Sequence, residues 1–306
     1  MRRYFMQKDV TDYLMKPVKN EWNNHATFFN EMDTQYRQPE EEFLTGGETI
    51  LPTFKNDDNV RYYFNSMGFR SDEFTEHHDG EHILFTGCSE GEGVGGNIDS
   101  SWTHIIYTEL SKKTKLSGFF NLSRAGWGHE TIIPNVIQYI NKYGKPDKIY
   151  MLLPNIARKF KWFDDEKDFE RYRHVLYTPF WAKNDVIEKN GITRTRQTIE
   201  DQRSMIPSFI ILVKLFEEYC ISNNIQLVWS TWSEPDHDNY KTLNVFKNFV
   251  TFPTSTEIFL EGRDFVTEDA YKMRTLFAKR DGHHGYFFHY KWAQVFLGLV
   301  DTKNEE

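Results

Sequence analysis

Two cysteines, Cys88 and Cys220, are too few for a disulfide framework, so a packed core has to hold this chain together and the redox compartment stays open. No apolar run approaches the about 20 residues that a membrane-spanning helix requires. The first residues, Met1-Arg2-Arg3-Tyr4, are followed by no apolar stretch, so no signal peptide is expected; the compartment is not read from the sequence. An excess of basic residues is also missing. A net charge of −8 argues against nucleic acid as the main partner, because a phosphate-binding face needs Lys and Arg in excess. A neutral or acetylated glycan remains compatible with that charge. Internal repeats and low-complexity tracts are absent.

What is present suits a folded enzyme-sized domain. The chain has 306 residues, of which 39 % are hydrophobic and 27 % charged, enough apolar material for a large core and against global disorder. The apolar content is uneven. Residues 1–64 are polar, rich in Asn and Glu, and too thin in apolar side chains to build a core alone; they read as an N-terminal extension. Residues 65–306 form the main domain.

Within it, short apolar runs alternate with helical periodicity. His82-Ile83-Leu84-Phe85-Thr86 ends in Gly87, as a buried strand does. Ser100 or Ser101 caps a helix carrying Trp102, Ile105, Ile106 and Leu110. A second strand is expected near Gly118–Leu122. A second helix carries Ile132, Ile133, Val136, Ile137 and Ile140 on one face, with Pro134 in its first turn and Gly144 beyond its end. Lys148–Leu153 gives a third strand, Thr198–Asn223 a long helix kinked near Pro207, and Ile225–Ser230 a fourth strand. A weaker fifth is expected near Phe249–Phe252, and a last helix over Tyr286–Val300 with Trp292, Val295, Phe296 and Leu299 facing inward. Strands alternating with helices imply an α/β fold, a doubly wound parallel sheet with helices on both faces. In such sheets ligands sit beyond the carboxyl ends of the strands, here the loops after Thr86, Leu122, Leu153 and Ser230.

The first strand runs into Gly87-Cys88-Ser89-Glu90-Gly91, a literal G-x-S-x-G turn that presents a serine. An α/β-hydrolase elbow would follow several earlier strands and an HGGG-type segment, and neither is found. The same loop continues Gly91-Glu92-Gly93-Val94-Gly95-Gly96, a literal G-x-G-x-x-G. A dinucleotide reading is disfavoured on three counts. Glu90 and Glu92 would repel a pyrophosphate, the helix begins near Ser100 rather than on the last glycine, and the second strand ends without an acid for a ribose. The plain alternative is a glycine-rich turn with no ligand.

Near the other end lies Arg280-Asp281-Gly282-His283-His284. An Asp three residues before a His can accept from its Nδ1–H and leave Nε2 free for a serine. A helix-capping role for Asp281 is the competing reading. Glu76-His77-His78-Asp79 and Glu81-His82 have a metal-like composition but no ligand spacing, and read as a solvated loop. Cys88 reads as a small packing residue.

Taken together, Gly87-Cys88-Ser89, Asn121-Leu122-Ser123-Arg124-Ala125-Gly126, Leu153-Pro154-Asn155 and Asp281-Gly282-His283-His284 resemble, in order and position, the blocks of the SGNH/GDSL hydrolase family. The upstream Asn65-Ser66-Met67-Gly68-Phe69-Arg70 resembles the stretch that often leads into the first strand of such enzymes. The resemblance covers roughly residues 65–300. It implies a flavodoxin-like sheet and an esterase with Ser89 as nucleophile, His284 as base and Asp281 orienting it. The oxyanion hole would be the N–H groups of Ser89 and Gly126 with the side chain of Asn155. It implies neither metal nor organic cofactor. The substrate is expected to be a small-molecule or glycan ester, an O-acetyl group among the options. Cys88 replaces the family's usual Asp, Leu153 stands where Gly is common, and Ile156 replaces the Asp after the Asn; these departures bear on Asn155 more than on Ser89. They also sustain the alternative of a catalytically inactive SGNH-like binding or structural module.

Two further expectations concern the substrate. Trp127 and Trp232 lie at strand ends, where their faces could stack on a sugar ring, although burial in the core is an equal reading. The segment 160–203 carries Trp162, Phe163, Tyr172, Tyr177, Phe180 and Trp181 and is expected to border the site as a lid or insertion.

Overall fold

The computed structural model describes residues 64–94, 98–125, 127–156, 159–160, 176–177, 199–254, 257–258 and 284–299. All but the last residue of the N-terminal extension, Gly126, Asp281 and all but a few residues of the 160–203 segment lie outside the described residues.

Four strands form one parallel sheet: β1 (Ile83–Gly87), β2 (Phe120–Asn121), β3 (Lys148–Leu153) and, later in the chain, β6 (Gln226–Thr231). Their order is β2-β1-β3-β6. The chain steps from β1 to one side and then returns past β1 to the other, the flavodoxin-like order, which opens a crevice beyond the carboxyl ends of β1 and β3. Two short strands, β4 (Lys159–Phe160) and β5 (Leu176–Tyr177), pair antiparallel with each other.

The helices are α1 (Ser89–Glu92), α2 (Trp102–Ser111), α3 (His129–Tyr143), α4 (Ile199–Ser222), α5 (Glu234–Leu243) and α6 (Tyr286–Phe296). The period-two alternation of the strands sorts them onto the two faces. Leu84, Ile149, Met151, Leu153, Leu227 and Trp229 join the core that contains residues of α3 and α4. Ile83, Phe85, Tyr150 and Leu152 join the core made with α2 and α6. The sheet is therefore covered on both faces, which is why β1 is buried at every position. Among the described residues no helix is long and apolar enough to cross a membrane.

Ser101 is the cap of α2, accepting from the His104 N–H at 3.3 Å. Several expectations are corrected. Pro134 is the sixth residue of α3, past the first turn, because the helix starts at His129. The segment around Phe249 forms one isolated parallel bridge to Trp229 rather than a fifth strand. Just upstream of Phe249, the backbone N–H groups of Lys247 and Asn248 are taken by the buried Glu217 carboxylate. The last helix ends at Phe296, and Gly298 turns the chain with φ 66°. Leu299 thus leaves the helical register and is 59 % exposed instead of facing inward.

The loop before β1 is not simply solvated. His78 and His82 stack with ring centroids 3.6 Å apart, and His82 is buried with its Nε2 2.9 Å from the Tyr139 hydroxyl. His78 donates from Nε2 to the Tyr143 carbonyl. Burial, and after it the neighbouring His78, pushes the His82 imidazole down to about 4.

Candidate active site

β1 ends in a turn that only glycine allows at two positions. A Cβ on Gly87 would lie 2.7 Å from the Leu152 carbonyl oxygen of β3, so the serine turn starts where two backbones touch. A Cβ on Gly91 would fall within 2.8 Å of the Ser123 Cβ. Between them Ser89 opens α1, a single turn closed by Gly93 at φ 73°, whose N–H bonds the Ser89 carbonyl. As the first residue of a helical turn, Ser89 has an N–H with no intrahelical acceptor.

Separate elements pin this turn. Asn121, at the end of β2, donates from Nδ2 to the Gly91 carbonyl at 2.9 Å and accepts the Ser123 N–H at 3.1 Å. The Thr103 hydroxyl of α2 reaches the same carbonyl at 3.3 Å. Arg70, 2 % exposed, donates to the carbonyls of Glu92 and Gly93 at 3.1 and 2.7 Å. Its stretch is shaped by Asn65, whose Oδ1 accepts the N–H groups of Met67 and Phe69, and by Gly68 at φ 81°. The Asn65–Arg70 motif thus shapes a turn, buries Phe69 and delivers a guanidinium beneath the serine turn.

The loop after β2 is tied to the same turn. Glu92 accepts the Ala125 N–H, and the Arg124 N–H bonds the Gly87 carbonyl at 3.3 Å. Gly126 itself is outside the described residues, but the chain immediately before it is anchored beside Ser89. Trp127, just after, is 2 % exposed and packs edge-on against Phe69 at 5.7 Å. It offers no face to a sugar, because the core has taken it.

Ser89 is buried, and its Oγ lies 3.9 Å from Cys88 Sγ. That sulfur also accepts from Trp232 Nε1 at 3.3 Å, which holds the half-buried indole across the strand ends. The Trp232 ring lies 6.2 Å from the His284 ring. Phe288 and Trp292 flank His284 at 4.5 and 5.0 Å. His284 Nδ1 is 2.9 Å from Glu90 Oε1, and His289 Nε2 is 3.7 Å from Glu90 Oε2. Ser89 and His284 are therefore joined through Glu90, the residue after the serine; among the described residues no hydrogen bond links Ser89 Oγ to His284 directly.

Asn155 follows β3, as expected. Its Nδ2 donates to the Ser233 hydroxyl at 3.0 Å. The next N–H, of Ile156, bonds Asp236 Oδ2 at 2.7 Å. Burial raises the Asp236 carboxyl, while the Ile156 N–H and the Ser233 hydroxyl pull it back. An acid thus stands beside Asn155, and it arrives from α5.

The residues that sequence reasoning missed are Glu90, Glu92, Ser233 and Asp236. One signal was available for the two glutamates: acids inside a tight turn between a buried strand and a helix must be partnered if they are buried. Ser233 and Asp236 carried none. Among the described residues, no group of three or more His, Cys, Asp or Glu side chains could hold a metal ion.

No family model matches this chain, and no curated protein does. Among solved structures it is similar to a protein from Desulfitobacterium hafniense DCB-2 whose description places it in the G-D-S-L family. The two are 12 % identical over 71 % of this chain and 97 % of that one, with a TM-score of 0.37. A likeness this distant carries no functional information.

Proposed function

We propose that this protein is a serine hydrolase that cleaves a carboxylic ester, with an O-acetyl group on a glycan as one candidate substrate class. One observation carries the reading: a serine on the first residue of a tight turn at the carboxyl end of β1 adjoins a carboxylate that holds Nδ1 of His284. A serine hydroxyl is a weak nucleophile until a base removes its proton, and an imidazole anchored at Nδ1 has its other nitrogen available for that task.

In this mechanism Ser89 Oγ attacks the ester carbonyl while His284 Nε2 takes the hydroxyl proton. The negative oxygen is held by the N–H groups of Ser89 and Gly126 and by the Asn155 side chain. Loss of one such donor costs about 10²–10³ in rate. The intermediate collapses as His284 returns the proton to the departing alcohol. Water, activated by the same imidazole, then releases the acid from the serine. Substrate draws the Ser89 hydroxyl from Cys88 toward His284, since catalytic hydrogen bonds often tighten only in the complex. Trp232 borders this site as the stacking face for the alcohol portion.

A second reading, an inactive binding module, draws on the burial of Ser89 and the 3.9 Å contact of its hydroxyl with Cys88. A fluorophosphonate probe separates the two. The parent and Cys88→Ala should be labelled and should cleave p-nitrophenyl acetate, and Ser89→Ala should do neither. An unlabelled parent, or a Ser89→Ala variant as fast as the parent, refutes the esterase.

A further inference from the structure

We propose that Glu90, rather than Asp281, is the carboxylate that positions His284; its kinetic arm rests on the esterase reading, its structural arm does not. The D-x-x-H spacing gives this role to Asp281. The geometry gives Nδ1 of His284 to Glu90, at 2.9 Å, with the carboxylate and the imidazole only 5 % and 16 % exposed.

The chemistry of the pair sets the proton's place. An ionised carboxylate has no proton to donate, so Nδ1 of His284 is the donor and the Nε2 lone pair is left free. A second imidazole, that of His289, faces the other oxygen of Glu90. His289 Nδ1 accepts the Trp102 N–H at 3.3 Å, so the neutral His289 ring carries its proton on Nε2. That Nε2 faces Glu90 Oε2 at 3.7 Å. The carboxylate is thereby set between two imidazoles, one from α6 and one from the chain just before it. Trp232, Phe288 and Trp292 wall off His284, which lowers the local dielectric and strengthens the bond. Titratable groups beside the Glu90–His284 pair include His289 on α6 and Cys88, which accepts from Trp232 Nε1; Asp281 and His283 lie outside the described residues.

Glu90 and Ser89 are consecutive residues of one turn, pinned by Asn121, Thr103 and Arg70. The group that orients the base is therefore locked in register with the nucleophile by a single peptide unit.

The test is the tautomer of His284, read from imidazole ¹⁵N shifts at alkaline pH, with the resonance assigned by His284→Asn. The parent should hold the proton on Nδ1. Glu90→Ala should move it to Nε2, and Asp281→Asn should leave it on Nδ1. A tautomer unchanged in Glu90→Ala, or displaced in Asp281→Asn with Glu90 intact, overturns the proposal. If Glu90→Ala does not fold, the near-isosteric Glu90→Gln carries the test through kinetics: kcat should fall by at least about 10²-fold with KM unchanged. A parental kcat in Glu90→Gln refutes the positioning role. An unreactive Ser89 in the parent ends the esterase reading alone, and the ¹⁵N shifts then decide the role of Glu90.

Discussion

Two pairs of imidazoles sit at opposite ends of the sheet. At the amino ends of β1 and β3, His78 stacks on His82 with no acid between the rings, and burial holds His82 in its neutral form down to about pH 4. At the carboxyl ends, His284 and His289 bracket the buried carboxylate of Glu90. The first pair fills space and caps Tyr139 and Tyr143 of α3. The second has a donor–acceptor order imposed on it, which is what proton transfer requires. Burial alone makes a histidine inert; burial beside an acid makes it a directed base.

The comparison predicts that damage to the His284 imidazole is kinetic and damage to the His82 imidazole is thermodynamic. The largest effect is expected for His284→Asn, which should lower ester hydrolysis at least about 10³-fold. Its melting temperature should change little, and a large drop in melting temperature would move His284 into the structural class. Gly91→Ala comes next. Its new Cβ meets Ser123, and such overpacking costs about 1–3 kcal/mol. Denaturant melts should show that loss, and Ser123→Gly in the same chain should restore most of it.

At the amino end the expected response is to acid. The His82 imidazole is lowered from 6.5 to about 4 in the folded protein, so between those values the unfolded chain binds more protons. This contribution to stability is complete above about pH 6.5, shrinks as pH falls and is gone below about pH 4. Thermal melts across that range should follow this slope, and a His82→Phe variant should show a flatter one. Tyr139→Phe, which removes the hydroxyl facing His82, should cost about 1 kcal/mol without changing ester turnover. Loss of turnover there would erase the division between the two ends. The smallest effect is expected for Leu299→Ser, within about 0.5 kcal/mol, because this exposed side chain lies beyond the last helix.

Much of this architecture is readable from the chain. The run from His82 to Gly87 reads as a buried strand, and the structure makes Ile83–Gly87 one. Lys148–Leu153 matches residue for residue. The helix over Ile132–Ile140 and the Ser101 cap follow from periodicity and capping chemistry. Errors cluster where a local signal competes with a partner far along the chain. Phe249–Phe252 looks like a strand, but the Glu217 carboxylate takes the backbone just before it. His78 looks solvated, but Tyr143 offers it a carbonyl at 2.7 Å. Trp127 looks available at a strand end, but Phe69 covers it.

The sequence by itself determined the alternation of strands and helices, the serine turn at the end of β1, and the order of the blocks that resemble a serine esterase. These depend on period, glycine and capping chemistry, all local. Only the tertiary structure decided what surrounds His284. The D-x-x-H spacing offers it an acid three residues away, whereas the folded chain brings one 194 positions away to 2.9 Å from its Nδ1. No local pattern encodes that choice. It arises because closing the sheet lays α6 against α2 and carries His284 and His289 onto the first helical turn after β1, where Glu90 is already buried and requires a partner.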